Sequence, residues 1–109
     1  MEIPERDLTM DYNLKIHKNI QNKTLELKLS GRVTAVNAER IMEEVKKDYK
    51  RFTDVVIDAE DLEYFSSAGL RQILQIMAVT ESKNGRTRLI KANEMVRDVL
   101  EMTGLSEDL

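Results

Sequence analysis

The sequence predicts an α/β domain: a mixed β-sheet that opens with an antiparallel hairpin and is packed by helices, in the order β-β-α-β-α-β-α. Three observations carry that reading. Two runs of alternating apolar and polar residues flank a short polar turn, as a hairpin with one wet face requires. Val55, Val56 and Ile57 form a continuous apolar run, as in a strand covered on both faces. Elsewhere, three stretches place apolar residues at helical spacing, and parallel strands need such helices as crossovers.

Residues 1–9 lack periodicity and are expected to form a short leader before a single domain over 10–109. Between Asp11 and Lys18, Tyr12, Leu14 and Ile16 fall on one face, with Lys15 and His17 on the other. Asn19 to Lys23 supplies turn residues, and Leu25, Leu27 and Leu29 then alternate with Glu26, Lys28 and Ser30. Gly31 is expected to end this second strand. Asn37 is positioned to cap a helix whose inward residues are Ala38, Ile41, Met42, Val45 and Tyr49. A buried strand over 54–58 follows, then an acidic loop, then a helix of roughly 67–82. That helix has apolar residues at 70, 73, 74, 77 and 78. Asn84-Gly85 marks a turn and Thr87 to Lys91 a short strand. Asn93 can cap a last helix that turns Val96, Val99, Leu100 and Thr103 inward and stops at Gly104.

The chain has 109 residues, enough for one core. It has no cysteine, which removes disulfides, thiolate metal sites and thiol nucleophiles. No apolar run approaches the roughly 20 residues of a membrane helix, and the first residues lack the basic and apolar regions of a signal peptide. A cytoplasmic domain is expected. Net charge is −3, with 17 basic and 20 acidic residues dispersed along the chain. Nucleic-acid binding rests on concentrated cationic surface. The doublets Lys46-Lys47 and Lys50-Arg51 instead sit on or just after a Glu-rich helix and read as solvated faces.

The richest chemistry lies between Val55 and Leu70. Ser66 and Ser67 fall where a helix N-terminus leaves unpaired N–H groups and a partial positive charge. A hydroxyl there can cap the helix, or it can carry a phosphate, which the same N–H groups and dipole would tolerate. Asp58, Glu60, Asp61 and Glu63 precede the serines. Pairing two of them for acid–base or metal chemistry, or reading Asp58 as an aspartyl phosphoacceptor, finds no supporting cluster elsewhere. Carboxylates shaping a docking surface fit better. His17 is the only histidine, no Gly-x-Ser-x-Gly frame surrounds the serines, and Gly31 and Gly69 stand alone, so neither a hydrolase nor a phosphate-cradling loop is indicated. Met42, Met77 and Met95 read as core. Tyr64 and Phe65 leave two readings open, an exposed aromatic anchor for a partner or burial of Phe65 beneath the helix.

Asp61-Leu-Glu-Tyr-Phe-Ser-Ser-Ala-Gly-Leu70 resembles the phosphorylation loop of the STAS-domain anti-sigma factor antagonists of bacteria, which typically runs Asp-Ser-Ser-Gly-Leu. Aligned on Gly69-Leu70, Ser67 takes the phosphoacceptor position, Ser66 replaces the usual Asp and Ala68 the second Ser. Leu29-Ser-Gly-Arg-Val-Thr-Ala35 resembles the family's segment between second strand and first helix, and Val99-Leu-Glu-Met-Thr-Gly-Leu105 its closing helix.

The resemblance implies a non-enzymatic switch without a cofactor. The unphosphorylated form would bind an anti-sigma factor of the ATP-dependent serine-kinase type and release the sigma factor. The kinase would modify Ser67, with Ser66 as the second candidate, and a serine phosphatase would restore binding. The implied contact surface comprises Asp58, Asp61 and Tyr64 before the helix, and Ser66, Ser67, Ala68, Gly69 and Arg71 at its start, on a chain that is monomeric when free. An alternative within the same fold is an interaction subunit of a transporter or stress-signalling complex not controlled by serine phosphorylation, to which the Asp-to-Ser66 departure points.

Overall fold

The alternation at the N-terminal side builds a hairpin, β1 (Leu14–Gln21) paired antiparallel to β2 (Thr24–Val33), in a computed structural model that describes residues 13–101. The expected leader 1–9, the strand start at Asp11 and Tyr12, and Thr103 and Gly104 lie outside the described residues. The turn is tighter than the polar run Asn19 to Lys23 implied. Only Asn22 and Lys23 form it, with φ of 51° and 63°, and pairing runs up to Gln21 opposite Thr24. Two left-handed residues suit the twist of a two-residue hairpin, which frees Asn19 to pair beside Glu26.

Gly31 does not end β2. With φ of +95° it carries the strand past Asn13, whose carbonyl oxygen would lie 1.9 Å from an added Cβ, and β2 continues to Val33. The residue marks an irregularity inside the strand, a usual meaning of an isolated strand glycine.

Helix α1 (Glu39–Lys47) buries Ile41, Met42 and Val45 as their spacing predicts. Asn37 is not its cap. Its buried side chain accepts from Thr34 N at 2.8 Å and donates to Arg32 O at 2.9 Å, so it braces the loop between β2 and α1. Tyr49 turns outward on a 3-10 turn (Tyr49–Arg51), where Lys83 Nζ lies 3.9 Å from its ring centroid.

The largest departure is β3, which runs from Asp54 to Phe65 and absorbs the expected acidic loop. Two register shifts against β2 explain why. Asp58 faces Lys28 but Asp61 faces Ser30, and Leu62 faces Gly31 but Tyr64 faces Arg32, so β3 carries an extra residue at each place. Each bulge shifts the inward position by one, so Ala59, Leu62 and Phe65 are all buried at a spacing of three that alternation does not reveal.

Helix α2 (Ser67–Ser82) follows at once. It buries Leu70, Ile73, Ile76 and Thr80, while Leu74 and Ala78, counted inward from spacing, are exposed and Met77 is half-buried. Strand β4 (Thr87–Ile90) and helix α3 (Glu94–Glu101) complete the described order. Lys91, expected in the strand, adopts φ 57° just beyond it. Asn93 does cap α3: its Oδ1 accepts from Val96 N at 3.0 Å, and its Nδ2 donates to Leu62 O at 2.6 Å.

The sheet order is β1-β2-β3-β4, antiparallel in the first pair and parallel in the other two. Leu25, Leu27, Leu29, Val55, Ile57 and Leu89 point from its inner face into one core with Ile41, Val45, Ile73, Ile76, Val96 and Leu100 of the helices. The strand residues between them, such as Glu26, Lys28 and Arg88, face the other way and are exposed or half-buried. No helix among the described residues is long and apolar enough to cross a membrane.

Candidate functional site at the start of α2

Because β3 lies inside the sheet and is buried on the helix side, its C-terminal end delivers the next residues to one edge of the core. Phe65, the last strand residue, is buried opposite Val33 at the end of β2. That decides between the two readings of the aromatic pair. Phe65 folds inward, and Tyr64 remains 41% exposed with the Arg32 guanidinium 4.7 Å from its ring centroid.

The chain turns into α2 at Ser66, which is extended (φ −89°, ψ 170°) and tied back by its N–H to Val33 O at 3.0 Å. Its Oγ accepts from Gly69 N at 3.4 Å, and its carbonyl accepts from Leu70 N at 3.1 Å. Ser66 is therefore the cap, satisfying one of the orphan donors of the first turn. Ser67 is the first helical residue and is exposed. Beside its hydroxyl, no acceptor among the described residues takes the N–H groups of Ser67 and Ala68. They add to the positive end of the helix dipole, and an anion attached to Ser67 would be stabilised there.

Gly69 has a packing reason to be glycine. A Cβ there would stand 2.7 Å from Val33 Cγ1 and 2.8 Å from Phe65 Cε1, so the helix can sit this close to the strand ends only without a side chain. The glycine thereby sets how far Ser67 stands from the core. Arg71 is exposed one turn further along, on the same face as Ser67.

The structure gathers Tyr64, Ser66, Ser67, Ala68, Gly69 and Arg71 at this end and leaves two expected members apart. Asp58 is seven residues before Phe65 on β3, which at about 3.3 Å per residue is roughly 20 Å away. Asp61 points toward β2, with its Oδ2 3.3 Å from Lys28 Nζ. That hydrogen bond to Asp61, with its charge, raises the Lys28 pKa. Asp58 is spent locally: its Oδ1 accepts from Glu60 N at 3.0 Å and its Oδ2 lies 3.9 Å from Lys91 Nζ.

Two exposed apolar residues flank the site, one that spacing did not single out and one that it counted inward. Val36, 79% exposed, sits in the loop that Asn37 braces, beside Ala35, which lines a groove with Ala68. Leu74, 45% exposed, is one turn beyond Arg71. Val36 had a legible signal, an apolar residue in a turn with no periodic partner. Leu74 had none, because its spacing also fits an inward face.

The comparisons with known proteins identify the class of domain to which this fold belongs. The STAS domain family model matches residues 12–109, and the chain belongs to that family. It is 36% identical over 80 residues to BtrV of Bordetella bronchiseptica, a protein named for anti-sigma factor antagonism. That match spans 70% of this chain and 66% of the relative, just under two thirds of its length. Among solved structures, it is similar to the anti-sigma factor antagonist SpoIIAA in its unphosphorylated form, with TM-score 0.75, 23% identity, and coverage of 84% of this chain and 81% of that one. The phosphorylated form of SpoIIAA from Bacillus gives TM-score 0.70 and 22% identity, with 84% of each chain covered. A Thermotoga maritima structure gives 0.72 and 22%, again with 84% of each covered. These likenesses establish the fold.

Proposed function

We propose that this protein is an anti-sigma factor antagonist whose partner binding is switched by phosphorylation of Ser67. The unphosphorylated form binds an anti-sigma factor that is also an ATP-dependent serine kinase, and so frees the sigma factor. Phosphorylation at Ser67 ends the interaction, and a serine phosphatase restores it. The chain acts in the cytoplasm as a binding module; the ATP belongs to the partner.

The observation that carries this reading is the division of labour between adjacent serines. Ser66 holds the helix and Ser67 stands exposed at its first position, so a phosphate can be added without dismantling the cap. The phosphate brings a charge of roughly −1.5 to −2. On the free protein that charge meets the helix N-terminus. Against a partner surface shaped for a neutral hydroxyl, desolvating it costs several kcal/mol, enough to release the complex. The naming of BtrV supports the role, and the likeness of this fold to both forms of SpoIIAA supports a switch that leaves the fold in place.

The test is incubation with a candidate anti-sigma kinase and ATP, followed by mass mapping of the phosphate. Ser67→Ala is expected to abolish incorporation and Ser66→Ala to retain it. Phosphate on Ser66 would move the switch to the cap, and none on either serine would favour an interaction subunit outside serine control.

A further inference from the structure

Asn84 and Gly85 join α2 to β4, and the fold demands each residue for a separate reason. Asn84 lies just past the end of α2 with φ 61°, a left-handed conformation that asparagine tolerates better than most residues. Its N–H donates to Glu81 O at 3.1 Å and the N–H of Gly85 to Thr80 O at 2.8 Å, the paired bonds of a Schellman stop. Gly85 has no room for a side chain, because a Cβ would stand 1.8 Å from Thr53 O and 2.6 Å from Asp54 Oδ1. That Asp54 oxygen accepts from Arg86 N at 2.8 Å, and Arg86 O accepts from Val55 N at 2.9 Å where β4 begins beside β3. Helix stop and strand start thus place an exposed asparagine before a glycine, the only such pair in the chain.

That pair is chemically labile. With no side chain on the residue that follows, the Gly85 nitrogen can reach the side-chain carbonyl carbon of Asn84. The nitrogen loses its proton and attacks Cγ; an N–Cγ bond forms, the Cγ–Nδ2 bond breaks, and Nδ2 leaves as ammonia with the proton. The five-membered succinimide then takes up one water. Opening at Cγ gives aspartate. Opening at the main-chain carbonyl gives isoaspartate, whose backbone runs through Cβ and Cγ and is one carbon longer. We infer that Asn84 is a site of spontaneous deamidation in the folded protein, and that the stop of α2 gates the reaction. The attacking nitrogen is the one whose hydrogen Thr80 O holds, so cyclisation waits for that bond to open, a local event short of global unfolding. The isoaspartyl product does not close it again, since the longer main chain must fit where Gly85 already abuts Thr53. Conversion therefore loosens the start of β4, while Ser67 at the opposite end of α2 stays in place.

The experiment incubates the unaltered chain, folded and in denaturant, in mildly alkaline buffer and maps amide-to-acid conversion by peptide mass. The folded protein is expected to convert at Asn84 faster than at any other asparagine, yet at least tenfold more slowly than the denatured chain does. Asn84→Gly, which the left-handed turn accepts, should keep its melting temperature and lose the conversion. Asp54→Ala frees Arg86 N and should speed both hydrogen exchange at the Gly85 amide and conversion at Asn84, each at least threefold. The isoaspartyl fraction of aged protein, separated by ion exchange, should show NMR shifts at Gly85, Arg86 and Thr87, with the resonances around Ser67 unchanged. Conversion confined to the denatured chain, or equal rates in the folded and denatured chains, overturns the inference. So does an Asp54→Ala chain with faster Gly85 exchange but unchanged conversion, or an isoaspartyl fraction whose spectrum matches the unaltered one at β4. Should Asp54→Ala fail to fold, the folded and denatured chains carry the test alone.

Discussion

Gly69 sits so close to Phe65 that an added Cβ would be 2.8 Å from the ring carbon Cε1. The missing side chain lets α2 dock on the ends of β2 and β3, and the same contact holds Ser67 at the rim, clear of the core. Core packing and the presentation of the proposed phosphoacceptor are thus one geometric fact.

Gly69→Ala is therefore expected to destabilise the fold by about 1–3 kcal/mol, the usual cost of forcing a methyl group into a packed site. Denaturant unfolding measures it. An effect below about 0.5 kcal/mol would mean that Val33 and Phe65 yield easily and do not position the helix.

The adjacent serines should separate stability from switching. Ser66→Ala removes the cap and is expected to cost about 1 kcal/mol, whereas Ser67→Ala should change stability by less than about 0.5 kcal/mol, as exposed substitutions usually do. Ser67→Asp should weaken partner binding at least tenfold, about 1.4 kcal/mol, with the melting temperature nearly unchanged. Thermal unfolding and calorimetric titration on the same preparations check both.

Location on the molecule should rank the charged residues. Arg71→Glu, one turn from Ser67, is expected to weaken partner binding at least tenfold. Asp61→Lys, which faces Lys28 on the sheet, should leave it within about twofold. Equal losses would mean that the docking surface extends down β3 as far as Asp61.

Away from the site, Lys18 Nζ on β1 lies 2.9 Å from Asp48 Oδ2 and 3.1 Å from Glu44 Oε1. Burial alone would lower the Lys18 pKa, but hydrogen bonds from its ammonium to Asp48 and Glu44, with their charges, raise it overall. The Glu44 pKa is lowered, first by its hydrogen bond from Lys47 and then, against burial, by Lys18; that of Asp48 is lowered, first by Lys18. Depressed carboxylates contribute stability above their unfolded values near 4 and lose it as pH falls through their folded values. The raised lysine contributes below its unfolded value near 10.4 and loses it as pH rises further. Lys18→Met should remove about 1 kcal/mol at pH 7 and flatten the loss of stability below pH 4. Denaturant unfolding across pH 2–7 measures both, and an unchanged acid limb would show that Lys18 is not the group holding these carboxylates ionised.

The element order was legible because most of the pattern is regular. Leu25, Leu27 and Leu29 alternate, and Ile41, Met42 and Val45 repeat at helical spacing, so hairpin and helix follow from burial alone. What escaped depends on contacts between distant residues. The two bulges in β3 arise from its pairing with β2, and they turn a strand of alternating burial into one that buries every third residue. An acidic run thus looked like a loop. Gly31 reads locally as a strand end, yet its positive φ serves a passage beside Asn13. Asn37 has the right type and place for a cap, but the Arg32 carbonyl and Thr34 N–H claim its side chain first. At the site, the helix start and its serines were visible, whereas the groove lined by Ala35 and Ala68 needs α1 and α2 side by side.

The central claim is that a phosphate on Ser67 turns binding off while leaving the fold intact. It is tested most directly by titrating the anti-sigma kinase partner with homogeneous protein in two forms, unmodified and phosphorylated at Ser67, with the melting temperature of each recorded. The account predicts at least tenfold weaker binding for the phosphorylated form and melting temperatures within a few degrees of each other. Equal affinities, or a phosphorylated form that has unfolded, would contradict it.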